Sequence, residues 1–330
     1  MIAFVACSNG LGHIKRIITI CNYIYSNYGI TGTVFAPKKK FDHLTKILKK
    51  QKDIIYIPKL IDFDTETSID SWGNSSSKNW KQTIPSLESF KLVVSDNLLE
   101  ILELRSDAII LASFFWDQIV IKNDLTTKRK NLIKKYNPLI IGNKYLSLTP
   151  KTKNYRGVGF CLAKRQLSHK TKKNLLISGG KDGSDDKLIN EIVKYFINNK
   201  PSSIDYILLE PRLFNISMPK YFKKADFSSD MYNSIIMAII RPGLGTVTDC
   251  LNHQAFILSF KNFNNYELNQ NIRNLKKLGV GDVFENMLEL SLIIEKFGLK
   301  KNIFYENLSK IDFNGTKQTS EIIYKIYCEK

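Results

Sequence analysis

Three apolar runs in this sequence each stop at a glycine-bearing loop and pass into a helical repeat, and no other feature constrains the fold as much. Ile2–Ala6 passes through "CSNGLGHIKR" into Ile17, Ile18, Ile20, Cys21 and Ile24, which recur at helical spacing. Residues 174–178 pass through "GGKDGSDD" into a helix read from about Ser184. Residues 234–240 pass through "RPGLG" into a helix read from about Thr246. A short run that is apolar throughout, closed by glycine and followed by a helix, is the unit of a parallel sheet covered on both faces. Further strands are read at 32–36, 54–57, 91–95, 108–112, 138–142, 206–209 and 255–260, so the fold class is α/β.

The chain's 330 residues exceed what one core ordinarily serves and suit two such domains. The stretch 161–173 is polar, basic and aperiodic and reads as a linker between residues 1–160 and residues 174–315, with 316–330 as a last helix. Hydrophobic residues at 43% and charged residues at 24% are those of a soluble globular protein. No apolar run is long enough to cross a bilayer, and "MIAFVACSNG" lacks a basic n-region and a cleavage site. A cytoplasmic protein is expected. Cys7, Cys21 and Cys250 lie in apolar patterns and read as reduced core residues; with Cys161 and Cys328 they show no metal-ligand spacing.

The formal charge of +18 gathers at 38–40, 49–52, 128–130, 134–135 and 170–173. Such a field attracts phosphate groups, anionic lipid or nucleic acid. A composition rich in Lys, Asn and Ile gives the same excess with no function attached. No zinc-finger spacing or RNP aromatic motif accompanies the charge, so nucleic acid is the weakest of the three partners.

The loops carry the candidate chemistry. Gly10 and Gly12 let the backbone turn sharply and approach a ligand, and the helix N-terminus behind them suits an anion. His13 falls in that helix's first turn, at the mouth of any cleft above the strand ends; a tight turn with a surface histidine fits the same residues. Gly179 and Gly180 would bring backbone N–H groups within reach of a diphosphate, with Lys181 adding charge, or would form an ordinary strand–helix turn. Arg241, Gly243, Leu244 and Gly245 lead into a helix whose first turn is read to carry Thr246 and Asp249. Asp249 could point back toward a ribose, or be a solvated acid favouring the dipole. Glu267, at a loop–helix junction, could accept from sugar hydroxyls or favour a dipole. Asp96 ends a strand and could orient His13, bind an acceptor or cap a helix. The aromatics of "ASFFWDQI" suit stacking on a sugar as well as a core, and the long polar stretch 62–86 suits a lid or a binding loop.

Taken in order, G-x-G-H-x-x-R, S-G-G, R-P-G-x-G-T-x-x-D and E-x-x-x-N-x-x-x-x-x-x-x-G resemble the GT-B glycosyltransferases, including the N-acetylglucosaminyltransferases that form lipid II. The resemblance spans most of the chain and is more specific in its second half. It implies two Rossmann-like domains facing across a central cleft, the first for an acceptor and the second for a nucleotide sugar. The last helix would cross back to the first domain. It also implies roles: Asp249 on the ribose, Gly243, Leu244, Gly245 and Thr246 at the diphosphate, Gly179, Gly180 and Lys181 in a loop near the diphosphate or the base, and Arg241 among the nucleotide-sugar contacts. Glu267 would meet the donor sugar, and His13 with Asp96 would act as the base. Asn9, Gly10, Gly12, Trp116 and Asp117 would line the acceptor side. Neither cofactor nor metal is implied, and the D-x-D spacing at Asp62 to Asp64 is read as chance. Asp249 stands where a Glu is usual, Leu268 where Gln is frequent, and Gln254 and Phe256 where Gly and Pro are common.

The expected activity is inverting, metal-independent transfer from a nucleotide diphosphate sugar, with uridine as the base, to a glycan or lipid-linked acceptor. "GHIKR" and "SGGKD" are also similar to the nucleotide-sugar hydrolase of pseudaminic acid biosynthesis, in which the histidine would activate water. A non-catalytic basic protein that binds anionic lipid or nucleic acid is the third reading. The surface charge leaves a peripheral place at the inner membrane face open.

Overall fold

The computed structural model describes residues 1–8, 10–50, 53–65, 80–112, 124–146, 152, 154–164, 172–180, 186–261 and 266–330. The chain divides into two compact units, Met1–Lys164 with Asp312–Lys330, and Arg165–Ile311.

Unit 1 holds β1 (Ile2–Ala6), β2 (Gly32–Ala36), β3 (Lys59–Asp62), β4 (Leu92–Asp96), β5 (Ile109–Ala112), β6 (Ile140–Asn143) and β7 (Tyr155–Val158). They form one sheet in the order β3-β2-β1-β4-β5-β6-β7, every pairing parallel. All five residues of β1 are buried, which is why it reads as continuously apolar. Its alternate side chains feed two cores. Ile2, Phe4 and Ala6 pack with Ile14, Ile17, Ile18 and Ile24 of α1 (Leu11–Tyr28), whereas Ala3 and Val5 pack with Phe35, Val93 and Trp80. Trp80, read as part of a binding loop, is 4% exposed and belongs to the second core; residues 66–79 of that stretch lie outside the described residues.

Unit 2 holds β8 (Asn174–Ser178), β9 (Ile207–Leu209), β10 (Phe222–Lys224), β11 (Ile235–Ile240), β12 (Phe256–Phe260) and β13 (Gly281–Phe284). Its parallel order is β10-β9-β8-β11-β12-β13. Both sheets therefore reverse direction of winding beside their first strand, at β1/β4 and at β8/β11. Open α/β sheets bind ligands at that point, beyond the carboxyl ends of the strands.

Two sequence expectations shift. The strand expected at 54–57 is displaced to Lys59–Asp62, because the N–H groups of Ile55 and Tyr56 donate to the Asn22 side chain of α1 at 2.9 and 3.0 Å. The first unit also runs past residue 160. Phe160 donates its N–H to Asp312 and accepts from Gly315, and the Thr316 hydroxyl donates to the Leu162 carbonyl at 2.6 Å. These bonds seat α9 (Gly315–Glu329) on unit 1, where Tyr324 stacks on Tyr28 with ring centres 3.9 Å apart. A Cβ on Gly315 would run into the Gly159 carbonyl, so glycine is required there by space alone.

Candidate functional site

The winding reversal of unit 1 assembles a charged trio. β1 and β4 end side by side, Ala6 paired with Asp96. After β1 the chain reaches Gly10 at φ 79°, a left-handed conformation that glycine adopts without strain, and α1 begins at Leu11. His13 and Arg16 stand three residues apart on α1, hence on one face. Both reach Asp96, whose side chain is fully buried. Arg16 donates to it twice, from Nε at 2.8 Å and from the second terminal nitrogen at 2.6 Å, and His13 Nδ1 lies 2.7 Å from Oδ1.

Burial would raise the Asp96 pKa, but the Arg16 and His13 charges and their hydrogen bonds outweigh it and hold the carboxyl below its ordinary value. An ionised carboxylate only accepts, so Nδ1 of His13 must be the donor. In its neutral form the imidazole then carries its lone pair on Nε2. With the His13 side chain one-fifth exposed, that nitrogen is placed to take a proton. Asp96 caps no helix: the short helix after it, Leu99–Glu103, has Leu98 at its N-cap.

Reciprocal bonds brace the same loop. The Ser8 N–H donates to the Thr65 hydroxyl at 3.0 Å, the Thr65 N–H donates to the Ser8 hydroxyl at 2.9 Å, and Lys40 Nζ donates to the Ser8 carbonyl at 2.6 Å. Arg16, Ser8 and Thr65 were given no role from sequence, although the H-x-x-R spacing held the signal for Arg16. Asp62 of the D-x-D triplet accepts the Lys38 N–H at 2.8 Å, at the start of α2 (Lys38–Lys50), a capping role. Asn9, Trp116 and Asp117 lie outside the described residues.

Unit 2 repeats the topology with different chemistry. Ser178 ends β8 beside Ile240 of β11, and the Arg241 N–H donates to the Ser178 carbonyl at 3.2 Å. The N–H groups of Gly179 and Gly180 do not face an open phosphate seat. They donate to Oε2 of Glu210 at 3.0 and 3.2 Å, which also accepts from the Ser178 hydroxyl at 2.9 Å. Glu210 is 5% exposed and holds Arg212 Nε at 2.9 Å on its other oxygen. Arg212 in turn donates to the Gly180 carbonyl at 2.7 Å and pairs with Asp186. A buried acid thus already takes the two glycine donors that the diphosphate role would have used. Lys181 lies outside the described residues.

The turn after β11 keeps its donors available. α6 runs Leu244–Asn252 with Gly243 at its N-cap, and no side chain caps it. Its N-terminus thus offers backbone N–H groups and a positive dipole end at Leu244, Gly245 and Thr246. The helix starts two residues earlier than Thr246 because Gly243 is extended, at φ −71° and ψ 143°. Asp249 consequently falls in the second turn, not the first as expected. Asn271, 2% exposed, donates to the Pro242 carbonyl at 2.9 Å and ties the turn to α7 (Tyr266–Lys277). Glu267 stands one helical turn before Asn271 and so shares its face. Among the described residues no group of three or more His, Cys, Asp or Glu side chains could hold a metal ion.

No protein-family model matches the sequence, and no curated protein sequence matches it. Solved structures do. The glycotransferase of kitacinnamycin is similar over 98% of this chain and 98% of its own, with a TM-score of 0.67 and 11% identity. The spinosyn rhamnosyltransferase SpnG, complexed with thymidine diphosphate, is similar over 99% and 100%, with a TM-score of 0.61 and 10% identity. MurG of Acinetobacter baumannii is similar over 98% and 99%, with a TM-score of 0.59 and 12% identity. With its two parallel α/β sheets, this chain has the GT-B fold, as the sequence resemblance implied. Among the described residues no helix is long and apolar enough to cross a membrane.

Proposed function

We propose that this protein is a glycosyltransferase that moves a sugar from a nucleotide diphosphate sugar, with uridine as the base, to a hydroxyl of a glycan or lipid-linked acceptor. The observation that carries the reading is the Arg16–Asp96–His13 trio, its carboxylate fully buried, at the winding reversal of a GT-B unit. It presents a single nitrogen base, which one-step displacement at an anomeric carbon requires. His13 Nε2 takes the acceptor hydroxyl's proton as the oxygen attacks, and Asp96 stabilises the imidazolium that forms. Attack from the face opposite the leaving group inverts the anomeric centre.

The donor's diphosphate sits on the N-terminus of α6, where backbone N–H groups and the helix dipole balance the charge that grows on the leaving group. Asp249 holds the ribose and Glu267 the donor sugar. The similar rhamnosyltransferase bound to thymidine diphosphate supports a nucleoside diphosphate as the product.

The test is nucleotide release from UDP-, GDP-, TDP- and CMP-sugars, with and without a cell-derived acceptor fraction, following anomeric configuration by NMR. Acceptor-dependent release from one donor, with inversion, is expected. Stoichiometric free sugar without acceptor would make the protein a hydrolase in which His13 serves water. No release from any donor, together with salt-sensitive binding to anionic lipid or RNA, would make it a binding protein.

A further inference from the structure

α8 (Met287–Ser309) buries Leu290, Ile294, Phe297, Phe304 and Leu308 against unit 2, where Phe297 and Phe304 both meet Phe256. Its opposite side carries Leu288, Leu292, Leu299 and Ile303, exposed by 71%, 42%, 84% and 59%. At 3.6 residues per turn these four fall within an arc of about 60° and run about 22 Å along the helix. Their spacing of four, seven and four reads the same from either end. Such a palindrome is what a two-fold axis across a helix demands, because an isologous contact sets each residue against its mirror in the count.

We propose that this stripe is the seam of a symmetric dimer of two copies of this chain, their α8 helices antiparallel about an axis between Glu295 and Lys296. In that register Leu288 meets Ile303 of the second copy, Leu292 meets Leu299, and Glu295 meets Lys296, each pair occurring twice. Charge complementarity selects a copy over a bilayer. Glu295 stands within the apolar stripe, where an anionic surface would repel it and a second copy supplies Lys296. Among the described residues neither Glu295 nor Lys296 has an ion-pair partner in its own chain. The register also brings Glu285 near Glu306, but each already carries its own lysine, Lys261 and Lys310. A seam of one helix per copy, about 22 Å long, is small beside the roughly 1,200 Å² that marks stable interfaces, so the dimer is a weak, reversible one.

The test is sedimentation of the full chain over a concentration series at about 0.15 M salt, where long-range repulsion between the basic bodies is screened. A reversible monomer–dimer equilibrium is expected. Leu299→Glu should abolish it with the far-UV spectrum unchanged, since Leu299 is exposed. Glu295→Lys and Lys296→Glu should each weaken association about tenfold, and combining them should restore it, because the axis pairs 295 with 296. A chain that stays monomeric throughout, a dimer indifferent to Leu299→Glu, or charge variants that do not rescue each other would overturn the proposal. So would a monomer that binds anionic vesicles through Leu292 and Leu299, which would assign the stripe to lipid. None of these outcomes depends on the proposed activity.

Discussion

The two winding reversals share a topology and divide the chemistry between side chains and backbone. At β1/β4 the strand ends hold three ionisable side chains, and the carboxylate is spent on orienting an imidazole. In unit 2 a buried carboxylate reaches the end of β8 from its other side: Glu210, which follows β9, accepts from the backbone of Gly179 and Gly180. What unit 2 leaves facing outward is the uncapped N-terminus of α6. The two acids arrive from different strands, β4 on the crossover side of β1 and β9 on the opposite side of β8, so one meets side chains of α1 and the other meets glycine N–H groups.

Variants on either side can break that division. The largest effect is expected from His13→Ala, which should lower turnover by about 10²- to 10⁴-fold while calorimetry shows nucleotide binding unchanged. Lost nucleotide binding in that variant would place His13 in the anion seat instead. Asp96→Asn comes next, because it leaves Arg16 beside a neutral amide and should cost about 3–5 kcal/mol of stability at neutral pH. The sign follows from the depressed Asp96 pKa. Its stabilisation is complete above the ordinary carboxylate value of about 3.9 and is lost as pH falls through the lower folded value. The gap between Asp96→Asn and the unaltered chain, measured by denaturant unfolding, should therefore be constant above about pH 5 and close in stronger acid.

Glu210→Gln should cost about 1–3 kcal/mol, since an amide cannot accept from Arg212 and from the glycine loop together. Its kinetic signature should be a raised donor KM with kcat preserved, which would confine Glu210 to the donor side. The smallest effect concerns Lys172, whose ammonium group donates to the His253 carbonyl beyond the end of α6. Burial, helped by the Lys301 charge, pushes its pKa down to about 8. The folded chain thus sheds that proton before the unfolded chain does, and this group's contribution to stability rises as pH climbs above 8. Any advantage of Lys172→Met at neutral pH should shrink by about pH 9.5 in thermal unfolding scans.

Much of this was legible in the residues. Strands buried over all or nearly all of their length, such as β1, β4, β8 and β11, announce themselves as apolar runs, and glycine loops mark where β1, β8 and β11 end. The edge strands β7, β10 and β13 escaped notice because "YRGV", "FKK" and "GDVF" are half-exposed and carry too few apolar residues to show a period. His13 and Asp96 are legible as a pair, since each stands where an apolar run gives out. Glu210 was missed although it directly follows β9, in "ILLEPR". Only the sheet order reveals that β9 lies next to β8 and so aims this acid at the glycine loop. The position of Asp249 depended on where α6 begins, and helix starts are among the least certain features of any sequence reading.

The division of the chain also sets the order in which its parts can fold during translation. Everything in Arg165–Ile311 leaves the ribosome before Asp312–Lys330, which belongs to unit 1. Unit 2 can therefore fold while unit 1 still waits for α9, whose Ile323 is fully buried in a unit 1 core. Until that helix arrives, the face of α1 that receives it is uncovered, with Tyr28 among the apolar residues packed at its edge. The nascent chain thus carries a sticky α1 surface through the whole synthesis of its second unit, and this interval is when a chaperone would be most needed.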